Sequence, residues 1–278
     1  SPSAGDIVSI ADYGFNAAAN NITIARNSSN ISGFALDAEI TVNGAAVTLV
    51  YVDGTKGWVP VNDQNSGGVV SQEYVTATGG TITTCGNFKI HTFTGPGTFC
   101  VSNAGNAAGS NTVDYLVIAG GGGGGGSEAG NGAGGGGGAG GAGGYRYSAT
   151  TYCAPGNSPV IGPGTALPVS VQGYPITVGG GGPRGISHPS TAQPGVRGSN
   201  SIFSTITSTG GGGGGGCAAS STANPAGPGG SGGSNSGDSS APSPYAGNTP
   251  PVSPPQGNPG GGATPNRTGG GGGGAAAS

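Results

Sequence analysis

The sequence predicts a mostly β chain: short antiparallel strands and hairpins in its N-terminal part, then a glycine-rich bundle of polyglycine II helices with β segments, and no substantial α-helix. Three observations predict it. Apolar and polar residues alternate in short runs through residues 1–119, the period of half-buried strands. From Gly120 onward the chain holds 53 of its 68 glycines and 18 of its 21 prolines. Charged residues make up 6%, against about 25% in an ordinary soluble domain.

Residues 1–65 read as a small antiparallel β-module. Asp6-Ile7-Val8-Ser9-Ile10 and Asn21-Ile22-Thr23-Ile24 alternate strictly. Ile40-Thr41-Val42 leads through Asn43-Gly44 to Val47-Thr48-Leu49-Val50-Tyr51-Val52, and Asn-Gly between two such runs predicts a hairpin. Asp53-Gly54 and Lys56-Gly57 turn the chain into Trp58-Val59-Pro60-Val61. Residues 66–119 continue in strands. Lys89 to Thr94 and Thr98 to Val101, joined by Gly95-Pro96-Gly97, predict a second hairpin, and Asp114 to Ala119 is the last strand before the glycines.

Residues 120–278 form the glycine-rich domain, with pure glycine runs at 120–126, 134–138, 210–216 and 269–274. The strict Gly-X-Y period of collagen is missing. Two readings compete. Glycine loses the most entropy on ordering and large apolar residues are few, which describes a flexible linker. Polyglycine II helices rise about 3.1 Å per residue without internal hydrogen bonds, and without Cβ atoms they approach closely enough for N–H groups to reach neighbouring carbonyls. Three features favour the bundle. The glycines recur in runs. Ala133, Ala139 and Ala142 fall in phase at multiples of three, along one edge. Strand patterns lie between the runs, at Val169 and Val171, Tyr174 to Val178 and Ser201 to Thr207.

Charge and chemistry narrow the function. Residues 1–128 carry nine of the ten acidic groups against Arg26, Lys56 and Lys89; residues 129–278 hold Arg146, Arg184, Arg197 and Arg267 against Asp238. A net charge of −3 without a basic cluster argues against nucleic acid. No apolar run approaches the roughly 20 residues that span a bilayer, so no membrane insertion is expected. His91 and His188 have no nucleophile or carboxylate at a recognisable spacing, and Asp37 with Glu39 reads as a solvated strand face. The glycine runs lack the Lys-Ser/Thr of a phosphate loop. An enzyme, a cofactor and a metal are therefore not expected.

Cys85, Cys100, Cys153 and Cys217 contain no CxxC motif. Their even number on a scaffold with a thin core suits disulfides and an extracellular setting; proximity favours Cys85–Cys100 with Cys153–Cys217, and free buried thiols are the alternative. Binding is the better functional class, because rigid scaffolds make sites from the loops they display. Two loops are candidates. Residues 183–198 hold Arg184, His188 and Arg197, suited to anionic or hydroxyl-rich sugars. Residues 238–258 hold Tyr245, whose ring can stack on a sugar.

The strand Val113 to Ala119 running into glycines, Gly140-Gly141-Ala142-Gly143-Gly144-Tyr145, Tyr174-Pro175-Ile176-Thr177-Val178 before four glycines, and Gly198 through Gly210 follow one another in an order that resembles the glycine-rich C-terminal domain of tail-fibre and other structural proteins of tailed phages. The likeness covers about residues 88–278. Ala46 to Trp58 is similar to a small β-module of phage fibre and baseplate-associated proteins. The resemblance implies a virion tail-fibre or fibre-tip protein, extracellular, homotrimeric and associated with other fibre proteins. Its distal end would bind a host surface glycan or outer-membrane protein, although the long Pro/Ser/Asn tail departs from polyglycine II tip adhesins. A self-assembling extracellular filament or virion decoration protein is the alternative expectation, and an ice-binding protein the third.

Overall fold

The computed structural model describes residues 1–62, 73–106, 109–127, 135–148, 164–187, 192–217, 226–236, 245–263 and 269–275. The chain forms two compact units, one of Ser1–Val75 with Ala104–Asn111, the other of Thr76–Asn103 with Thr112–Ser278. The segment 66–119 is thus shared between them. The described residues are mostly β with short antiparallel pairings, and none of them is helical.

In the first unit the alternating runs become β1 (Ile7–Ala11), β2 (Ile22–Ile24), β3 (Ala38–Ile40), β4 (Ala46–Asp53) and β5 (Gly57–Asn62). They pair as β1-β4-β5 and β2-β3. Alternation on β4 buries Val47 and Leu49, which meet Ile40, Ala17 and Ala45 in a small core, with Ile10, Ile22, Ile24, Val42 and Trp58 packed against it. The β4–β5 hairpin closes as read from the sequence, its turn held by Asp53 Oδ1, which accepts from Thr55 N (2.8 Å) and Lys56 N (2.6 Å).

The hairpin expected at Asn43-Gly44 does not form. A turn is present, with Ala45 N donating to Val42 O (3.2 Å) and Gly44 at φ +72. Its flanking strands, however, pair elsewhere, β3 with β2 and β4 with β1 and β5. Bonds distant in sequence hold this turn: Gly44 N donates to Asp12 Oδ2 (3.0 Å) and Ala18 N to Asn43 Oδ1 (2.7 Å).

The second unit contains β6 (Val75–Thr78), β7 (Thr81–Cys85), β8 (Phe88–Thr92), β9 (Gly97–Ala104), β10 (Thr112–Val113), β11 (Leu116–Ile118), β12 (Tyr145–Tyr147), β13 (Leu167–Pro168), β14 (Gly173–Thr177), β15 (Ser201–Phe203) and β16 (Ile206–Ser208). A five-stranded sheet runs β16-β15-β14-β9-β6, and β7-β8, β10-β13 and β11-β12 pair separately. The sheet's core is aromatic: Phe99 lies 5.8 Å from Phe203, 6.5 Å from Tyr174 and 5.0 Å from the His91 ring, between centroids. His91 Nδ1 also sits 2.8 Å from Gly79 O, which accounts for this histidine structurally.

Two expectations for residues 81–101 are corrected here. Lys89 to Thr92 pairs with Thr81 to Thr84, not with Thr98 to Val101. Gly86-Asn87 supplies a tight two-residue turn with Gly86 at φ +57, and this local closure prevails over the longer Gly-Pro-Gly link. Cys85 and Cys100 are not joined. Cys85 ends β7, whereas Cys100 faces outward on β9 opposite Gly173, in a different sheet; both are exposed free thiols. Cys153 of the other expected pair lies outside the described residues, and Cys217 is buried.

The glycine runs are neither strand nor helix, yet they are closely bonded to one another. We label the bonded segments I (119–126), II (137–144), III (179–186), IV (192–199), V (209–217), VI (227–235), VII (256–261) and VIII (269–274). Their hydrogen bonds recur at every third residue. Ala119, Gly122 and Gly125 of I donate to Gly144, Gly141 and Gly138 of II (2.8–3.0 Å). Gly120, Gly123 and Gly126 donate to Ser199, Val196 and Gln193 of IV (2.9–3.1 Å). Gly211, Gly214 and Cys217 of V donate back to Gly120, Gly123 and Gly126 (2.9–3.1 Å), and Gly182 and Gly185 of III to Gly121 and Gly124 (2.7–2.8 Å). Segment I therefore touches II, III, IV and V.

Position in this array explains composition. Segment V is buried at every residue and carries the seven-glycine run 210–216, where added methyls at Gly210 to Gly214 would lie 1.8–2.1 Å from neighbouring carbonyl oxygens. Segment IV lies at the surface. It keeps glycine at Gly195 and Gly198, against Gly123 and Gly120, and exposes Gln193, Val196, Arg197 and Ser199. On segment II, Ala139 is exposed and Ala142 half-buried while Gly138, Gly141 and Gly144 are buried, so these two alanines do share the open edge; Ala133 lies outside the described residues.

Candidate functional site

Arg184 is exposed on segment III and Arg197 on segment IV. The two segments are bonded neighbours, through Ser199 N to Gly180 O, Val196 N to Pro183 O and Gln193 N to Ile186 O (2.9–3.0 Å). The structure thus brings these two arginines onto adjoining segments. Arg197 is committed to positioning: its Nε donates to Gly210 O (3.3 Å) and an Nη to Thr249 O (3.2 Å), tying the proline-rich segment to the bundle. Tyr245 is half-buried, and its carbonyl accepts from Gly260 N (3.0 Å). His188 lies outside the described residues.

A groove that the sequence reading did not single out lies elsewhere in the same unit. Tyr115, Tyr145, Arg146, Tyr147, Gly164, Pro254 and Pro255 line a shallow surface depression. The strand β12 builds most of it. Pairing with β11 sets Tyr145 opposite Ile118 and Tyr147 opposite Leu116, so both tyrosines project from one face, with ring centroids 5.6 Å apart and planes inclined at 55°. Leu116 and Ile118 on that face are 57% and 53% exposed, which leaves an apolar apron beside the rings. Arg146 alternates to the other side, where an Nη donates to Thr207 O (3.4 Å).

Tyr115 is fixed by buried Ser148, whose Oγ accepts from Tyr115 N (3.0 Å) and donates to Asp114 Oδ1 (3.0 Å), while Ser148 N donates to Tyr115 O (3.1 Å). The absence of a side chain at Gly164 admits the Tyr115 phenol, because a methyl there would lie 2.6 Å from its oxygen. Pro254 and Pro255 complete the wall, carried on a segment held by Gln256. This fully buried glutamine accepts from Thr209 N at Oε1 (2.7 Å), donates through Nε2 to Pro250 O (3.2 Å), and accepts from Tyr145 N at its carbonyl (2.9 Å). The signal in the sequence is Tyr145-Arg146-Tyr147 directly after a glycine run, an alternating aromatic pair of the kind that surfaces on one strand face.

The groove can offer aromatic and proline faces to a ring-shaped, weakly polar ligand. Among the described residues no group of three or more His, Cys, Asp or Glu could hold a metal ion. Asp37 Oδ1 accepts from Arg26 N (2.9 Å) and Glu39 Oε2 from Asn21 Nδ2 (3.1 Å), so each carboxylate serves its own neighbourhood.

Arg184, Arg197, the proline-rich segment and the tyrosine groove fall in a stretch with a known signature: the profile of the glycine-rich domain family matches residues 94–278. The chain belongs to this family. The glycine-rich domain begins within the Gly-Pro-Gly region before β9, so it takes in β9 to β16, the bonded segments and the tyrosine groove. No curated protein and no solved structure matches the chain.

Proposed function

We propose that segments I to VIII are polyglycine II helices packed side by side, and that the chain is a non-enzymatic structural and binding protein of a phage-type tail fibre or fibre tip. The supporting observation is the three-residue recurrence of the inter-segment bonds, the repeat of a threefold helix. Such packing replaces an apolar core with backbone hydrogen bonds and holds displayed loops stiffly. In this reading the protein is extracellular, works as a homo-oligomer, a trimer in the first instance, alongside other fibre proteins, and meets a glycan or outer-membrane protein of the host cell. The tyrosine groove is the contact we favour for a sugar ring, with Arg184 and the loop after it as a second contact.

Amide exchange on the native chain tests the scaffold: Gly123, Gly211 and Gly214 should exchange slowly, and free-peptide rates there would refute it. Binding of the native chain to host cells and to a panel of surface glycans tests attachment. Tyr147→Ala should abolish glycan binding without changing exchange at Gly214. Equal binding by this variant would remove the groove from the proposal.

A further inference from the structure

Among the described residues, the bonded segments leave a place between segments I and II unfilled, and its walls are those of the filled places. Around segment I the neighbours run II, V, IV, III, each bonded to the next; around segment II they run I, V, VI, VIII in the same way. Both segments are therefore open on the side where they adjoin, and a groove lies between them. On I, the carbonyls of Gly122 and Gly125 accept no hydrogen bond; on II, the N–H groups of Gly137 and Gly140 donate none, among the described residues. Donors on one wall thus face acceptors on the other, each repeating every third residue as inside the array. All four residues are half-buried, open to a ligand.

Glycine is also retained in this groove where the described residues do not require it. A methyl at Gly121 would lie 3.7 Å from Gly141 O, and one at Gly124 3.7 Å from Gly138 O, both ordinary contacts. On the filled sides of the same segment, methyls at Gly122, Gly123 and Gly125 would lie 1.9–2.1 Å from neighbouring backbone oxygens. A bare glycine at an open position costs conformational entropy for no gain within the monomer. It becomes necessary once another backbone occupies the groove.

We propose that this groove receives a glycine segment from a second copy of the chain, in the same bonding pattern. The inference rests on reading the segments as threefold extended helices. An occupant must lack Cβ atoms on its groove side and bring both N–H and C=O groups. The best-fitting segment is VIII, six consecutive glycines at the edge of the array, whose Gly271 has no atom within 4 Å of the place a methyl would take. The edge of one copy in the groove of the next is a heterologous contact, which closes into a ring such as a trimer or runs on as a filament.

Sedimentation of the native full chain across a wide concentration range tests this, with amide exchange read at Gly137 and Gly140. The chain should associate, and the two amides should slow as it does. Gly124→Ala should weaken association by about tenfold to a hundredfold, the effect of overfilling a packed contact, while the dilute chain keeps a thermal stability at or slightly above the native one. Gly180→Ala, with no atom within 4 Å on another side of the array, should associate like the native chain. A chain that stays monomeric, a Gly124→Ala variant that associates as tightly as the native chain, or exchange at Gly137 and Gly140 that ignores concentration would each overturn the proposal. Slow exchange at Gly123 and Gly214 in that case leaves the packed scaffold standing; fast exchange there removes the scaffold as well.

Discussion

Alanine substitution along a single glycine run should have effects that repeat every three residues. In segment I, a methyl at Gly122 would lie 2.1 Å from Gly212 O, and real Cβ contacts stay beyond 3.0 Å, so one segment must move by about 1 Å. Gly212 cannot yield freely, because its N–H donates to Ser231 O (2.9 Å) and its carbonyl accepts from Gly141 N (2.8 Å). Overfilling costs about 1–3 kcal/mol, and each of two stretched hydrogen bonds about 0.5–1.5 kcal/mol. Gly122→Ala should therefore destabilise by about 2–6 kcal/mol, a fall in Tm of about 4–24 °C in a unit of this size. Gly121→Ala meets nothing closer than 3.7 Å and has no left-handed φ, so it should stabilise by about 0.4–1 kcal/mol through the unfolded state. Gly123 and Gly125 should follow Gly122, and Gly124 should follow Gly121. Differential scanning calorimetry of the second unit's transition reads the series at low protein concentration. Equal effects at Gly121, Gly122 and Gly123 would refute threefold packing; no effect at any of them would mean that the run is solvated.

Three further outcomes follow from single side chains. Hydrogen bonds from the backbone amides of Ala17 and Gly44, and then Asn16, hold the Asp12 carboxyl below its usual value near ~3.9. A lowered folded pKa stabilises above the unfolded value and is lost as pH falls through the folded one, so the first unit should weaken on acidification below about pH 4. Trp58 fluorescence monitors this, and Asp12→Asn should flatten the acid limb while lowering stability at neutral pH. Gln256→Ala should leave the buried Thr209 amide without its partner, at about 1–3 kcal/mol, and release the exposed Pro250 carbonyl to solvent. Faster exchange at Thr209 checks it, and unchanged exchange would show that the glutamine does not close the end of segment V. Cys85 and Cys100 should react with a maleimide in the native chain without prior reduction, as mass spectrometry would show.

Much of the first unit was legible because strand alternation is local. Ile7 to Ile10, Ile22 to Ile24 and the β4–β5 turn at Asp53 stand where the pattern places them. The choice of partner strand was not legible. Asn43-Gly44 makes its turn, but the Asp12 carboxylate, distant in sequence, fixes which way the chain leaves it. Thr81 to Cys85 competes for Lys89 to Thr92 with a tighter turn than Gly95-Pro96-Gly97 provides. The site was read only in part. Arg184 and Arg197 do fall on adjoining segments, whereas the tyrosine groove needed β11 and β12 to pair across a long insertion before its rings met.

By itself, the sequence determined that the chain is β-rich and charge-poor, that a glycine-rich domain fills its second half, and where the alternating strands such as Ile7–Ala11, Ala46–Asp53 and Gly173–Thr177 and each glycine run lie. These are properties of composition and period, carried by side chains that are present. Only the tertiary structure decided which glycines are required. A glycine has no side chain to mark its inward face, so Gly121 and Gly122 are alike in sequence; the nearest backbone oxygen, 3.7 Å from one methyl position and 2.1 Å from the other, tells them apart.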